Sequence, residues 1–227
     1  MTFFSLTAQN EINNLNLLKS ELDTISKQKL PINSVALNQN GDWIILYGDI
    51  GYSFVTMPGK LSSRLDTLNK QQKIVKDIDF IGKSGWVIVA QQNAFYSDSL
   101  PDKMLAGLKK INLKGQEIKS IDTYGESSGV ILYGKSFYYE QNIKASVKTK
   151  MDNLRGRSQY IKNIAFTKDG GWVLFYAKSG YSYFDIPVAM TQKIKELVQN
   201  GSELSRVFFL HDKWIIVYDD YKYVGNL

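Results

Sequence analysis

Between residues 160 and 199 the spacing of apolar positions changes twice. The run IKNIAF (161–166) is mostly apolar, a Lys-Asp-Gly-Gly break follows, and WVLFY (172–176) is apolar on both parities. After a second break, Tyr181, Ser182 and Tyr183 mix polar and aromatic positions; Met190, Ile194 and Leu197 then recur at i, i+4 and i+7. Period two signals strands and a period near 3.6 signals a helix. Clusters of Gly, Asn and Asp between the apolar runs are hairpin signals. The segment therefore predicts strand–strand–strand–helix. Its second strand has apolar side chains on both faces, so both faces must be covered.

The same unit recurs along the chain. Trp43, Trp86 and Trp172 fall in one 43-residue register, Gly129 occupies the register between the last two, and Trp214 follows 42 residues after Trp172. Four residues after this anchor come Tyr47, Ala90, Tyr133, Tyr176 and Tyr218; nine after it come Tyr52, Phe95, Tyr138, Tyr181 and Tyr223. The helices repeat too: Leu61, Leu65 and Leu68; Met104, Leu108 and Ile111; Val147, Met151 and Leu154. Pro58, Pro101 and Pro187 stand near helix starts, where a missing N–H costs nothing.

The fifth unit ends after its third strand and lacks a helix. The chain opens with a helix that has no strands before it. LDTISKQ (22–28) nearly copies LDTLNKQ (65–71), and Leu18, Leu22 and Ile25 hold the register of Leu61, Leu65 and Leu68. The opening helix therefore supplies the piece that the last unit lacks. An open solenoid exposes an apolar face at each end and needs polar caps; here the two ends complement each other. The expected architecture is an α+β toroid: a five-bladed β-propeller-like ring, each blade a three-stranded antiparallel sheet plus one helix. The N-terminal helix closes it against the C-terminal strands. One closed repeat domain spans 1–227, with units at about 31–72, 73–116, 117–159, 160–202, and 203–227 joined to 9–30.

Composition narrows the chemistry. The 227 residues are 44% hydrophobic and 22% charged, with a formal charge of +6 and no cysteine. That suits a globular protein with a sizeable core. It excludes disulfides, thiolate metal sites and cysteine nucleophiles. No apolar run reaches the length of a membrane span, and the first residues lack the basic and apolar regions of a signal peptide. A soluble chain is expected, cytoplasmic or a processed exported domain. The lysines (Lys60, Lys73, Lys109, Lys114, Lys148, Lys193) are scattered, as on a solvated surface.

The recurring pattern I..IAFT..GGWV..Y...GY....IP resembles bacterial propeller-like GGW/GY repeat proteins over residues 9–227. That resemblance implies a binding or scaffold module and brings no catalytic residue. Five α/β units in a ring are also similar to the pentein architecture, whose enzymes use Cys, His and acidic residues. With no Cys and one His, that chemistry is not expected here, and fold alone would not carry it.

The candidate site residues come from the first strands. Nine residues before the anchor stand Ser34, Asp77, Ser120, Asn163 and Ser205, small polar groups inside otherwise apolar strands. In a ring they would form a polar annulus; the plainer reading is that they satisfy strand groups or hold ordered water. Asp79 and Asp122, two residues further on, share a face with Asp77 and Ser120, and three carboxylates there would suit a cation or a basic group. Ala36 and Ala165 occupy that register elsewhere. His211, the only histidine, reads as a turn residue without metal or triad partners. The anchor tryptophans read as core, and the basic stretch KTKMDNLRGR (148–157) as the solvated face of a helix.

No cofactor, metal or catalytic residue is predicted. The expected function is a non-enzymatic binding or interaction module for a protein, peptide or glycan, acting as a monomer. A hydrolase-like enzyme with an acidic rim is the first alternative. A weak polyanion or nucleic-acid binder is the second and less favoured one.

Overall fold

The computed structural model describes residues 6–227 apart from Lys83 and Glu126, with side chains from residue 12 onward. Residues 1–5, which carry part of the leader reading, lie outside this range. The order of elements is α1 (Leu6–Lys27), β1 (Ile32–Leu37), β2 (Trp43–Tyr47), β3 (Gly51–Val55), α2 (Gly59–Lys70), β4 (Val75–Ile81), β5 (Gly85–Ala90), β6 (Ala94–Asp98), α3 (Asp102–Leu113), β7 (Ile118–Tyr124), β8 (Ser128–Tyr133), β9 (Phe137–Gln141), α4 (Ala145–Gly156), β10 (Ile161–Phe166), β11 (Trp172–Tyr176), β12 (Gly180–Phe184), α5 (Val188–Gln199), β13 (Leu204–Leu210), β14 (Lys213–Tyr218) and β15 (Lys222–Gly225).

Each consecutive trio of strands is an antiparallel sheet of its own, with the middle strand central; the five sheets do not merge into one continuous sheet. Repeated three-stranded sheets with interleaved helices make the fold β-propeller-like, as the hydrophobic pattern predicts. The central strands are buried on both faces, and the reason is the way the sheets stack. Each core cluster lies between two successive sheets and takes in one helix. α2 joins Ile44 and Leu46 to Ile88 and Trp86; α3 joins Val87 and Val89 to Ile121 and Ile131. α4 and α5 repeat this between the third and fourth and the fourth and fifth sheets.

The 43-residue register of the helices is a packing register. Leu18, Leu61, Met104, Val147 and Met190 are equivalent and buried, as are Leu22, Leu65, Leu108, Met151 and Ile194 one turn later. α1 follows the same rule between the last sheet and the first: Leu18, Leu22 and Ile25 pack with Val35 and Ile45 of the first sheet and with Ile215 and Val217 of the fifth. The opening helix thus docks beside the C-terminal strands, as its sequence match to α2 predicts.

The anchor tryptophans are core. Trp43, Trp86, Trp172 and Trp214 are 3–5% exposed. Gly129 takes the same register in the third sheet. A Cβ there would lie 3.2 Å from Met104 Cε and 2.7 Å from the Asp122 carbonyl oxygen, so no side chain fits at this position without a shift of its neighbours.

The repeat slips once. Phe80 pairs with Trp86 and Phe166 with Trp172, but in the last hairpin Phe209 pairs with Trp214. The residue missing from the last repeat is therefore missing from the β13–β14 turn, not from β13.

Candidate functional site

That slip moves one member of the predicted annulus. Every first strand carries a β-bulge near its start, between Ile32 and Ser34, Val75 and Asp77, Ile118 and Ser120, Ile161 and Asn163, and Leu204 and Arg206. The five equivalent residues after the bulge are Ser34, Asp77, Ser120, Asn163 and Arg206. Ser205 sits in the bulge instead, where its Oγ donates to Asp220 Oδ1 at 2.9 Å. Counting back from Trp214 carries the short turn into the alignment; counting in 43s from Ser34 finds Arg206. Val207, one residue out of step with the other units, is the signal in the sequence.

Most of the annulus links one sheet to the next. Ser34 Oγ donates to Asp77 Oδ1 at 2.7 Å, and Asp77 Oδ2 accepts the Ile121 N–H at 2.8 Å. Asn163 Oδ1 accepts the Val207 N–H at 2.9 Å. Innermost strands have no neighbour in their own sheet on the inner side, so their N–H groups need other partners. Small polar side chains from the preceding strand provide them, which is why these positions are polar. Ser120 is buried beside them. Ser34, Asp77 and Asn163 thus satisfy strand groups of the neighbouring sheets.

The bulges themselves carry basic side chains that sequence reasoning missed. Lys76, Lys119 and Lys162 reach the carbonyls of Ile118, Ile161 and Leu204, the first residues of the following strands. Lys119 and Lys162 also donate to the Lys135 and Lys178 carbonyls at 3.1 Å. Bulges re-aim side chains, and here they turn lysines into clasps between sheets. Burial pulls the Lys119 ammonium down to about 8.

Two residues past the annulus, Asp79 and Asp122 stand out. Asp79 Oδ2 accepts the Thr123 N–H at 2.7 Å and the Thr123 Oγ–H at 2.6 Å, and Oδ1 accepts the Phe80 N–H at 2.9 Å. Asp122 is different: its Oδ1 is shielded from solvent and has no hydrogen-bond partner among the described residues. Burial pushes Asp77 up to about 6, with Arg206 opposing, and Asp79 up to about 7. Burial, with the charges of Asp79 and Asp77, holds Asp122 well above the ordinary carboxylate range.

Two connected spaces lie along the first strands. The inner one, about 40 Å³, is lined from all five, including Ser34, Asp77, Asp79, Asp122, Asn163 and Phe208. The outer one, about 220 Å³, is a mouth framed by the first turn of every sheet. Its walls include the equivalent residues Leu37, Phe80, Thr123, Phe166 and Phe209, with Tyr124 stacked on Phe166 at a ring separation of 4.6 Å. Lys168 and His211 stand at its edge, and Leu37, Asp79 and Phe209 line both spaces. His211 is a turn residue with positive φ, as expected.

Other candidates are structural. The Tyr52 and Tyr138 hydroxyls donate to Asp66 and Asp152. In the basic stretch, Lys148 pairs with Glu140 and Arg155 with Asp152, and Lys150 lies over the Tyr176 ring. Among the described residues no acidic–histidine group suited to a metal ion occurs, and no helix is long and apolar enough to cross a membrane.

No family model matches the chain, and no curated protein matches it. Among solved structures it is similar to that of YCF48 bound to D1 peptide, at 11% identity and a TM-score of 0.39, over 87% of this chain and 79% of that one.

Proposed function

We propose that the chain is a non-catalytic binding module: a closed ring of five blades that presents the mouth at one end of its axis to a segment of a partner protein. Closure is supported by one bond above all. Ile32 N–H donates to the Asp220 carbonyl at 2.9 Å, as Ile118 N–H donates to the Gln92 carbonyl at 2.9 Å. The contact from fifth sheet to first therefore has the chemistry of the contact from second to third. β13 also lies against β1 as the other first strands lie against their successors.

The observation that carries the binding reading is that all five first turns converge on one aromatic-walled space while differing in sequence. A symmetric structural plug would repeat its residues; the equivalent positions Gln39, Gly82, Gly125, Lys168 and His211 repeat only the glycine. Rigid scaffolds that display variable loops are where binding sites are built, and concave spaces with apolar walls and few polar groups are the usual form. The acidic-rim hydrolase fits less well, because Asp77 and Asp79 are held by donors from neighbouring strands. A polyanion site is weakened by the lysine clasps, which spend their charge on carbonyls.

A peptide array probed with the wild-type chain and with a Phe209→Glu variant tests this reading. Peptides that bind the first and lose the second support it. Binders that ignore the substitution contradict it.

A further inference from the structure

We propose that the small polar space beneath the mouth receives a primary ammonium group, from a lysine side chain or an amino terminus of the partner; this rests on the reading of the mouth as the docking site. Three observations converge on it.

The first is the orphan oxygen. Buried polar atoms are nearly always paired, and an unpaired one asks for an absent partner. Asp122 Oδ1 has none among the described residues, the Phe166 N–H being the one donor to that carboxyl group, while both oxygens of Asp77 and of Asp79 are bonded by named donors. An oxygen lacking a donor in a walled space calls for a donor from outside. Ala36 and Ala165 hold the equivalent position in two other units, so nothing in the packing of this register requires a carboxyl group.

The second is the charge around it. β4 brings Asp77 and Asp79, β7 brings Asp122, β13 brings Arg206, and β1 and β10 bring only the neutral Ser34 and Asn163. Lys76 flanks Asp77 from outside the space. Arg206 bears on Asp77 from outside the space, so three carboxyl groups line it and no cationic side chain does. Lys168 and His211 stand further out, at the edge of the mouth.

The third is size and path. The inner space of about 40 Å³ has room for roughly two to three waters. That suits an ammonium group and the methylene behind it, and is tight for the four heavy atoms of a guanidinium. The way in passes Phe80, Phe166 and Phe209, and aromatic faces attract organic cations. Because burial keeps these carboxyls partly protonated, a cation must displace protons, so binding tightens as pH rises.

The probes are four small compounds: the methylamides of N-acetyl-lysine, N-acetyl-norleucine and N-acetyl-arginine, and alanine methylamide with a free amino group. Calorimetry gives affinity, and carbon NMR of the aspartate carboxyls gives the place. The lysine compound is expected to bind at least tenfold more tightly than norleucine, to shift the Asp122 carboxyl, and to bind more tightly at about pH 8 than at about pH 6. Alanine methylamide shows whether a chain terminus serves equally, and arginine is expected to bind more weakly. Asp122→Ala, which copies Ala36 and Ala165, should erase the lysine advantage. Norleucine binding in the mouth as tightly as lysine overturns the ammonium site and leaves the mouth standing. If neither shifts resonances of Phe80, Tyr124 or Phe209, both readings fail. Potassium chloride moving the Asp122 carboxyl as strongly as lysine at equal concentration would assign the space to an inorganic ion and overturn the proposal.

Discussion

The Tyr223 hydroxyl donates to Asp23 at 2.6 Å, joining residues 200 positions apart. Tyr52 makes the same bond to Asp66, and Tyr138 makes it to Asp152, each across 14 positions. What is a local strand-to-helix link in the first and third units is thus a link between the two ends of the chain in the fifth. All three tyrosines have their hydroxyl pKa raised: Tyr52 mainly by its bond to Asp66, Tyr138 and Tyr223 mainly by burial. Tyr223→Phe is expected to lower stability by about 1 kcal/mol, a fall in melting temperature of roughly 2–4 °C for a chain of this size. Tyr52→Phe should cost a similar amount. Thermal melts of the two variants check this.

Stability should fall as pH rises through neutrality. The folded pKa values of Asp77 and Asp79 are about 6 and about 7, and burial holds Asp122 well above its ordinary value, against about 3.9 in an unfolded chain. Over that window the folded state binds more protons than the unfolded one, so its advantage is full below about pH 4 and is lost toward pH 7. Lys119, lowered by burial, acts in the opposite direction only from about 8 upward. The urea midpoint should be higher at about pH 5 than at about pH 7.5, and Asp79→Ala or Asp122→Ala should flatten the slope.

The lysine clasps should matter more than the surface ion pairs. Lys119 is 8% exposed, donates to two carbonyls and lies 4.1 Å from the centre of the Tyr160 ring. Lys119→Met should cost about 2 kcal/mol, the scale of hydrogen bonds from a charged group. Lys60 pairs with Asp98 in solvent, and Lys60→Met should change stability by less than about 0.5 kcal/mol. Chemical denaturation of both separates the two classes.

Gly171 tests how tight the turn between β10 and β11 is. A Cβ there would lie 1.9 Å from the Asp185 carbonyl oxygen, so Gly171→Ala must push β11 and the segment after β12 apart. A loss of at least about 2 kcal/mol is expected, on the scale of overpacked cores. The equivalent residue of the first unit is Asp42, where a side chain is accommodated and Asn38 bonds to it. Denaturation midpoints for Gly171→Ala and Asp42→Ala show whether the two turns differ as stated.

Much of the fold was legible because its period is a packing period. Leu18, Leu22 and Ile25 match Leu61, Leu65 and Leu68 in sequence because both trios fill the same kind of gap between sheets. The polar positions in the first strands were visible for a similar reason: a buried Asp77 or Asn163 interrupts an apolar run. Arg206 was missed because a one-residue deletion in a turn shifts any count made from the tryptophan beyond it. The lysine clasps were hidden because a lysine in a bulge looks like any solvated lysine until the bulge turns it. Asp122 was named, but its orphan oxygen depends on which neighbours lack a donor, and no spacing rule carries that.

The central claim is that the fifth unit is completed by α1, and electron–electron distance measurement tests it most directly. The chain has no cysteine, so spin labels can be placed at will. One pair goes at Ser20 and Lys222, the other at the equivalent Phe137 and Thr149 of the third unit. A closed arrangement predicts matching, narrow distance distributions for the two pairs. A longer or broad distribution for Ser20 and Lys222 alone would contradict it.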